Sequence, residues 1–267
     1  ILRLWDLGNP HQLVFDETYY VKQAWSMVQF GVEMRNGGPY GDKPDEAFTH
    51  GTLSVFDTTN GDLVVHGPVG KWVIAAGEAI FGGDSSVGWR ISVCVLGILS
   101  ILMVGRITRR LLGSSVLGTI AAILLAIDGH HFVHSRIGLL DLILMFWALV
   151  AFGALLLDRD SSRALLAARM SERPAGQPRW LGPSLGWRPW RLVAGVALGL
   201  DIGTKWSGAY FLAAFGLMTV LWDVGARRAA GIRAPLYAAL RRDAFPAFVS
   251  LVPVAAVGEG ASISVDS

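Results

Sequence analysis

Phe15-Asp16-Glu17-Thr18-Tyr19-Tyr20 sets two adjacent carboxylates among aromatic side chains in an otherwise mostly apolar chain. Carboxylates beside a bilayer are costly to place unless they do chemistry or pair with a cation. An acidic pair just outside a membrane, backed by His, Lys and Arg on the same side, suits group transfer from a lipid-linked donor. The plainer alternative is a solvated loop that happens to carry two acids.

The cations fall in short motifs. His66-Gly67-Pro68-Val69-Gly70-Lys71-Trp72 puts Gly and Pro ahead of a helix start, with His66 and Lys71 five residues apart. Free N–H groups at a helix N-terminus bind phosphate, and a nearby Lys adds charge. The spacing is not that of a Walker A loop, and an ordinary turn with a snorkelling Lys is the alternative. Trp89-Arg90 opens an apolar run. It reads either as an interfacial anchor or as a guanidinium gripping a lipid phosphate. Asp128 to Arg136 carries His130, His131 and His134, without the spacing of a catalytic zinc motif. Asp141, inside the next apolar run, is expected to pair with a cation. Lys205, in Thr204-Lys205-Trp206-Ser207-Gly208, either contacts an anionic headgroup or caps a loop.

These residues must be positioned by membrane helices. The chain has 267 residues, of which 52% are hydrophobic and 16% charged, the balance of a polytopic membrane protein rather than a soluble domain. Candidate spans are 87–105, 111–127, 137–157, and 189–222, the last long enough for two short crossings; 244–257 begins another. Its single cysteine, Cys94, excludes an intrachain disulfide. The 106–110 segment holds three basic residues, 158–191 seven Arg against three acids, and 223–243 five Arg against two. By the positive-inside rule these segments are cytoplasmic, and their arginines are topology determinants rather than nucleic-acid sites. Residues 1–86 carry five Lys/Arg against eleven acids, which suits the outer face. That places Asp16, Glu17, His66, Lys71, Arg90, His130, His131, His134, Arg136, Asp141, Asp201 and Lys205 on or near one side of the membrane, the outer one.

Within 1–86, residues 16–32 are expected to form an interfacial helix, with Trp25, Met27, Val28 and Phe30 on or near its apolar face. Residues 36–62 read as loop and turns, and 69–81 as an apolar segment at the interface. The domain reading is 1–86 as an outer loop with interfacial helices, 87–257 as the membrane region, and 258–267 as an atypical tail. The chain opens without Met, and the tail abandons the apolar pattern, so both ends are expected to be truncated or frameshifted.

In this order, Phe15-Asp16-Glu17-x-x-Tyr20, His66-Gly67-Pro68-Val69-Gly70-Lys71-Trp72, Gly88-Trp89-Arg90, Ser135-Arg136-x4-Asp141 and Gly203-Thr204-Lys205-Trp206-x-Gly208 resemble the N-terminal half of a protein O-mannosyltransferase of the actinobacterial type. The family usually has His-Pro-Pro where this chain has His66-Gly67-Pro68. The resemblance implies an all-α polytopic fold of GT-C type with a large first extracytoplasmic loop, in the plasma membrane. It implies mannose transfer from polyprenyl-phosphate-mannose to Ser or Thr hydroxyls of secreted or translocating proteins, possible partners including the translocation machinery. Asp16 is then the general base, Glu17 positions acceptor or sugar, and Arg90 holds the carrier phosphate. His66, Lys71, Arg136 and Lys205 complete an anionic-ligand cluster. Displacement is expected to be direct and inverting, with no cofactor and no metal.

Three other readings stay open from sequence. One is a related lipid-phosphate-sugar transferase acting on lipid or glycan. Another is a transporter using Asp141 and Asp201 as relays. The third is a non-catalytic membrane scaffold.

Overall fold

The structure is a computed structural model that describes residues 2–36, 43–53, 55–62, 65–172 and 180–241. The 244–257 span and the 258–267 tail lie outside the described residues. The chain divides into two compact units, Ile1–Phe146 with Gly203–Trp206, and Trp147–Ile202 with Ser207–Ser267.

In the first unit, α1 (Glu17–Phe30) stops at Gly31, whose φ of 78° is the left-handed conformation a helix end favours. β1 (Met34–Asn36) pairs antiparallel with β2 (Phe56–Gly61), and α2 (Pro44–Thr49) lies between them in sequence. This ribbon and short helix replace the expected run of turns over 36–62. Next comes α3 (Pro68–Phe81), opened by a proline whose missing N–H would be unsatisfied at that position anyway.

Ser85 caps α4 (Ser86–Leu112) by accepting from the Gly88 N–H, and Gly113 ends it at a φ of 65°. Ser114 caps α5 (Ser115–Ile127) and Asp128 caps α6 (Gly129–His134) in the same way. α3 and α4 meet without side chains between them: a Cβ on Gly77 would lie 2.3 Å from the Gly88 carbonyl oxygen. The core of this unit is Val21, Ala24, Phe48, Val55, Ile74, Trp89, Val93, Leu140 and Ile143.

Helix α1 is where expected. Of the four residues assigned to its apolar face Trp25 is buried, while Val28 and Phe30 are each 41% exposed, on a side left available to an interface. The side turned into the protein carries Glu17, Tyr20, Val21, Lys22, Gln23, Ala24, Trp25 and Ser26. Polar partners hold that side: Lys22 bonds Asp45, Gln23 donates to Asp62 at 2.7 Å, and Ser26 accepts from the Met34 N–H at 3.1 Å.

α7 (Leu140–Ser171) begins in the first unit and continues into the second, followed there by α8 (Pro189–Thr204), α9 (Gly208–Ala229) and α10 (Pro235–Ala239). Small and aromatic residues close the second unit. Ala151, Ala197 and Leu198 pack with Phe211, Leu212 and Phe215; Ala154, Leu155 and Ala194 pack with Phe215, Met218 and Trp222.

Among the described residues α4, α7 and α9 are long and apolar enough to cross a membrane. α5, with 13 residues, and α8, with 16, fall short of the roughly 20 needed for a straight crossing. The 189–222 segment does divide, at 205–207. α7 runs 32 residues, well past the expected span end at 157 and into the arginine-rich segment, where no Gly or Pro interrupts it. There two of the arginines, expected to be topology determinants, form a buried ion-pair cluster. Arg188 and Arg191 each reach both Asp158 and Asp223, and all four side chains are less than 10% exposed. Two cations and two anions at one place need no external counter-charge.

Candidate active site

Asp16 and Glu17 are adjacent but live in different surroundings. Phe15, just before them, has a φ of 55°, a conformation that costs a non-glycine residue energy and tends to occur where position matters. The turn sends the two carboxylates different ways.

Glu17 is fully buried. Its Oε1 accepts from Arg90 Nε at 2.8 Å and from the Gly138 N–H at 2.7 Å. Its Oε2 accepts from Arg90 Nη2 and from the Val14 N–H, both at 2.9 Å. Every favourable acceptor position of the carboxylate is thus taken.

Arg90 is equally committed. Besides Glu17 it donates through Nη1 to the carbonyls of Leu7 at 3.3 Å and Pro10 at 3.0 Å, and through Nη2 to Gln12 at 3.0 Å. A guanidinium has five N–H bonds, and these contacts use all five. The residue expected to grip a phosphate is 1% exposed and holds the 7–17 loop.

Two more of the expected phosphate ligands are similarly occupied. Lys71, 1% exposed, pairs with Glu33 and donates to the His66 carbonyl at 3.3 Å. Arg136 donates to the carbonyls of Leu2, Arg3, Trp5 and Asp6, pinning the start of the chain.

Asp16, His66 and Lys205 remain, joined by two residues given no catalytic role from sequence. Tyr20, one turn after Asp16 on α1, directs its hydroxyl to Asp16 Oδ2 at 3.5 Å, and its ring lies 6.0 Å from the His66 ring. Lys205 donates to Asp141 at 2.8 Å while staying 27% exposed. Asp141 lies in the first turn of α7, at the start of the apolar run rather than in its middle, where the dipole favours a carboxylate. It pairs with a cation, as expected from its type.

Electrostatics tie the five together. Burial pushes the Tyr20 phenol up to about 12, helped by Asp16 and Asp141. Burial also lowers His66 below the usual imidazole range; Lys205 and Lys71 add to this, and Asp141 and Asp16 oppose it. Among the described residues Asp16 has no cationic partner, in contrast to Glu17, Glu33 and Asp141.

Glycine permits this closeness. A Cβ on Gly67 would lie 2.1 Å from the Gly203 carbonyl oxygen, so the backbone carrying His66 sits directly on the helix end that leads into Lys205. Where the resemblance leads one to expect proline, the present geometry has room only for glycine.

The three histidines before α7 disperse. His131 turns inward, with Nε2 2.9 Å from Ser100 Oγ, while the His130 and His134 rings stack 4.1 Å apart. Among the described residues no three metal-capable side chains gather. Asp201 is buried in α8, in the second unit.

The comparisons agree on one family. The family model described as dolichyl-phosphate-mannose-protein mannosyltransferase matches residues 1–226. A protein of Mycobacterium tuberculosis (strain CDC 1551 / Oshkosh) named polyprenol-phosphate-mannose–protein mannosyltransferase is 41% identical over 255 residues, covering 94% of this chain and 44% of its own length. One of the same name from Mycolicibacterium smegmatis (strain MKD8) is 40% identical, covering 96% of this chain and 46% of itself. A third, from Corynebacterium glutamicum, is 38% identical, covering 94% and 44%. The chain therefore spans less than half the length of these relatives. No solved structure matches it.

Proposed function

The chain belongs to the dolichyl-phosphate-mannose-protein mannosyltransferase family, a family of GT-C-type membrane glycosyltransferases, and from that premise we propose that its Asp16 face takes part in moving mannose from polyprenyl-phosphate-mannose to a Ser or Thr hydroxyl of a protein. The observation that carries this is the asymmetry of the acidic pair. Glu17 is saturated by Arg90 and two backbone N–H groups, whereas the half-buried Asp16 carboxylate has, among the described residues, the Tyr20 hydroxyl alone beside it. A carboxylate that no cation or backbone N–H occupies has acceptor positions free for an incoming hydroxyl.

In this reading the acceptor oxygen bonds to the anomeric carbon as the bond from that carbon to the phosphate oxygen breaks. Asp16 takes the hydroxyl proton, and the carrier phosphate leaves as an anion with its bonding electrons. One displacement with no covalent intermediate inverts the anomeric centre. Lys205 suits the departing phosphate, because Asp141 occupies one of its donors and leaves the others available. Arg90 and Glu17 then act as positioning residues, fixing the loop that aims Asp16. Lys71 and Arg136 hold local backbone and partners in place. The reaction is written with side chains alone, without metal or cofactor.

In this reading the face lies outside the plasma membrane, where proteins emerging from the translocation machinery would present their hydroxyls; the charge distribution supports that side. The test is mannose transfer from a polyprenyl-phosphate-mannose donor to a Ser/Thr-containing peptide, in membranes expressing the complete gene. Asp16→Asn should cut kcat by roughly 10²- to 10⁴-fold, the usual worth of a general base. Transfer at the wild-type rate in that variant would rule Asp16 out.

A further inference from the structure

We propose that His66 is a neutral hydrogen-bond donor to a hydroxyl of the transferred sugar, and so a determinant of which sugar is moved, rather than a cation for the carrier phosphate. This rests on the transfer reading above and deepens it.

The ring nitrogens carry the argument. Nδ1 of His66 is enclosed and has no hydrogen-bond partner among the described residues. An imidazolium would bear a proton on both nitrogens, leaving an N–H buried and unsatisfied at Nδ1, which is costly. The enclosed nitrogen is accommodated more cheaply as the bare lone pair. The ring is then neutral, with its single proton on Nε2, the nitrogen that is not enclosed.

Position supplies the rest. Asp16 marks where the acceptor hydroxyl must come, and Lys205 where the phosphate leaves. His66 lies beside both: its ring is 6.0 Å from that of Tyr20, whose hydroxyl reaches Asp16, and Gly67 next to it abuts Gly203, two residues before Lys205. The charged and titratable groups around it are Asp16 and Tyr20 from α1 and its approach, Lys71 from α3, Asp141 from α7, and Lys205 from the turn after α8. Two ammonium groups beside it already discourage a third positive charge. Lys205 can serve the phosphate, whereas a neutral N–H is the right group for a hydroxyl oxygen.

The experiment uses the complete gene expressed in membranes, with polyprenyl-phosphate-mannose and its C2 epimer, polyprenyl-phosphate-glucose, as donors. His66→Gln keeps a neutral N–H and should retain mannose transfer within about tenfold, while His66→Lys and His66→Ala should each lose about 100-fold. His66→Ala should also narrow the preference for mannose over glucose. Wild-type kcat/KM should hold level from pH 6 to 8, a measurement that needs no folded variant. Retention by Lys with loss by Gln, or a rate falling about tenfold per pH unit above 6.5, would overturn the proposal in favour of a phosphate-binding cation. So would an Ala variant indistinguishable from wild type. A wild type that moves no mannose would sink the transfer reading itself, and this assignment with it.

Discussion

Glu17 and Arg90 can only be judged as a pair, because each is 1% exposed or less and each satisfies the other. Removing one partner strands a buried charge, a loss of about 3–5 kcal/mol. Glu17→Gln and Arg90→Ala should therefore both lower the thermal stability of the detergent-purified protein strongly. A phosphate ligand would behave differently: Arg90→Ala would leave melting unchanged and raise KM for the lipid donor alone. Melting curves beside donor titrations separate the two. The acidic pair was visible in the sequence as a candidate, and so was Asp141 as a residue needing a cation. What stayed hidden was that Glu17, expected to position acceptor or sugar, is taken up by Arg90 and two backbone N–H groups. It depends on a contact 73 residues away in sequence and on the strained turn at Phe15, neither of which leaves a local signature. Tyr20 could have been found earlier, since it stands four residues after Asp16 and shares its helix face.

At the scale of the element, α3 carries an unspent titratable group. Glu78 is fully enclosed with neither carboxylate oxygen partnered, and burial holds it well above the ordinary carboxylate range. Below pH 4.5 folded and unfolded chains are both protonated there, so Glu78 costs nothing. As pH rises past 4.5 the unfolded chain releases the proton and the folded one keeps it, so stability falls. Glu78→Gln should then raise the melting temperature at pH 7 and leave it nearly unchanged at pH 4. Equal shifts at both pH values would count against a buried neutral acid. α3 was legible as an apolar segment after Pro68, and α4 as a membrane span, because runs of apolar residues and their caps are local. The buried face of α1 was not, because its side chains are polar and are buried by the partners they meet. Periodicity registers hydrophobicity, and cannot register that Lys22 will find Asp45.

At the scale of the whole molecule, the arginine count makes one claim that labelling can check. His50 on the C-terminal cap of α2 and Ser161 on the outer surface of α7 are both exposed, and the native Cys94 is enclosed. In His50→Cys a membrane-impermeant maleimide should react in intact cells. In Ser161→Cys it should react only after the membrane is opened. The reverse pattern would put the Asp16 face on the cytoplasmic side. Hydropathy and charge together made the membrane class legible, and the number of full-length spans less so. Helix length decides that, and α7 outran its apolar stretch because Ala, Leu and Arg continue a helix as readily as they end a hydrophobic run.

The guanidinium of Arg90 collects the carbonyls of Leu7, Pro10 and Gln12 and the carboxylate of Glu17 around one point. Ribosomes deliver those partners first and Arg90 some 73 residues later. The loop that aims Asp16 therefore has nothing to wrap around while it is being made. It stays unanchored until α4 is made, and takes its shape only when Arg90 arrives. Interrupting synthesis between residues 62 and 86 would leave every chemical group of the acidic loop present and none of it in order.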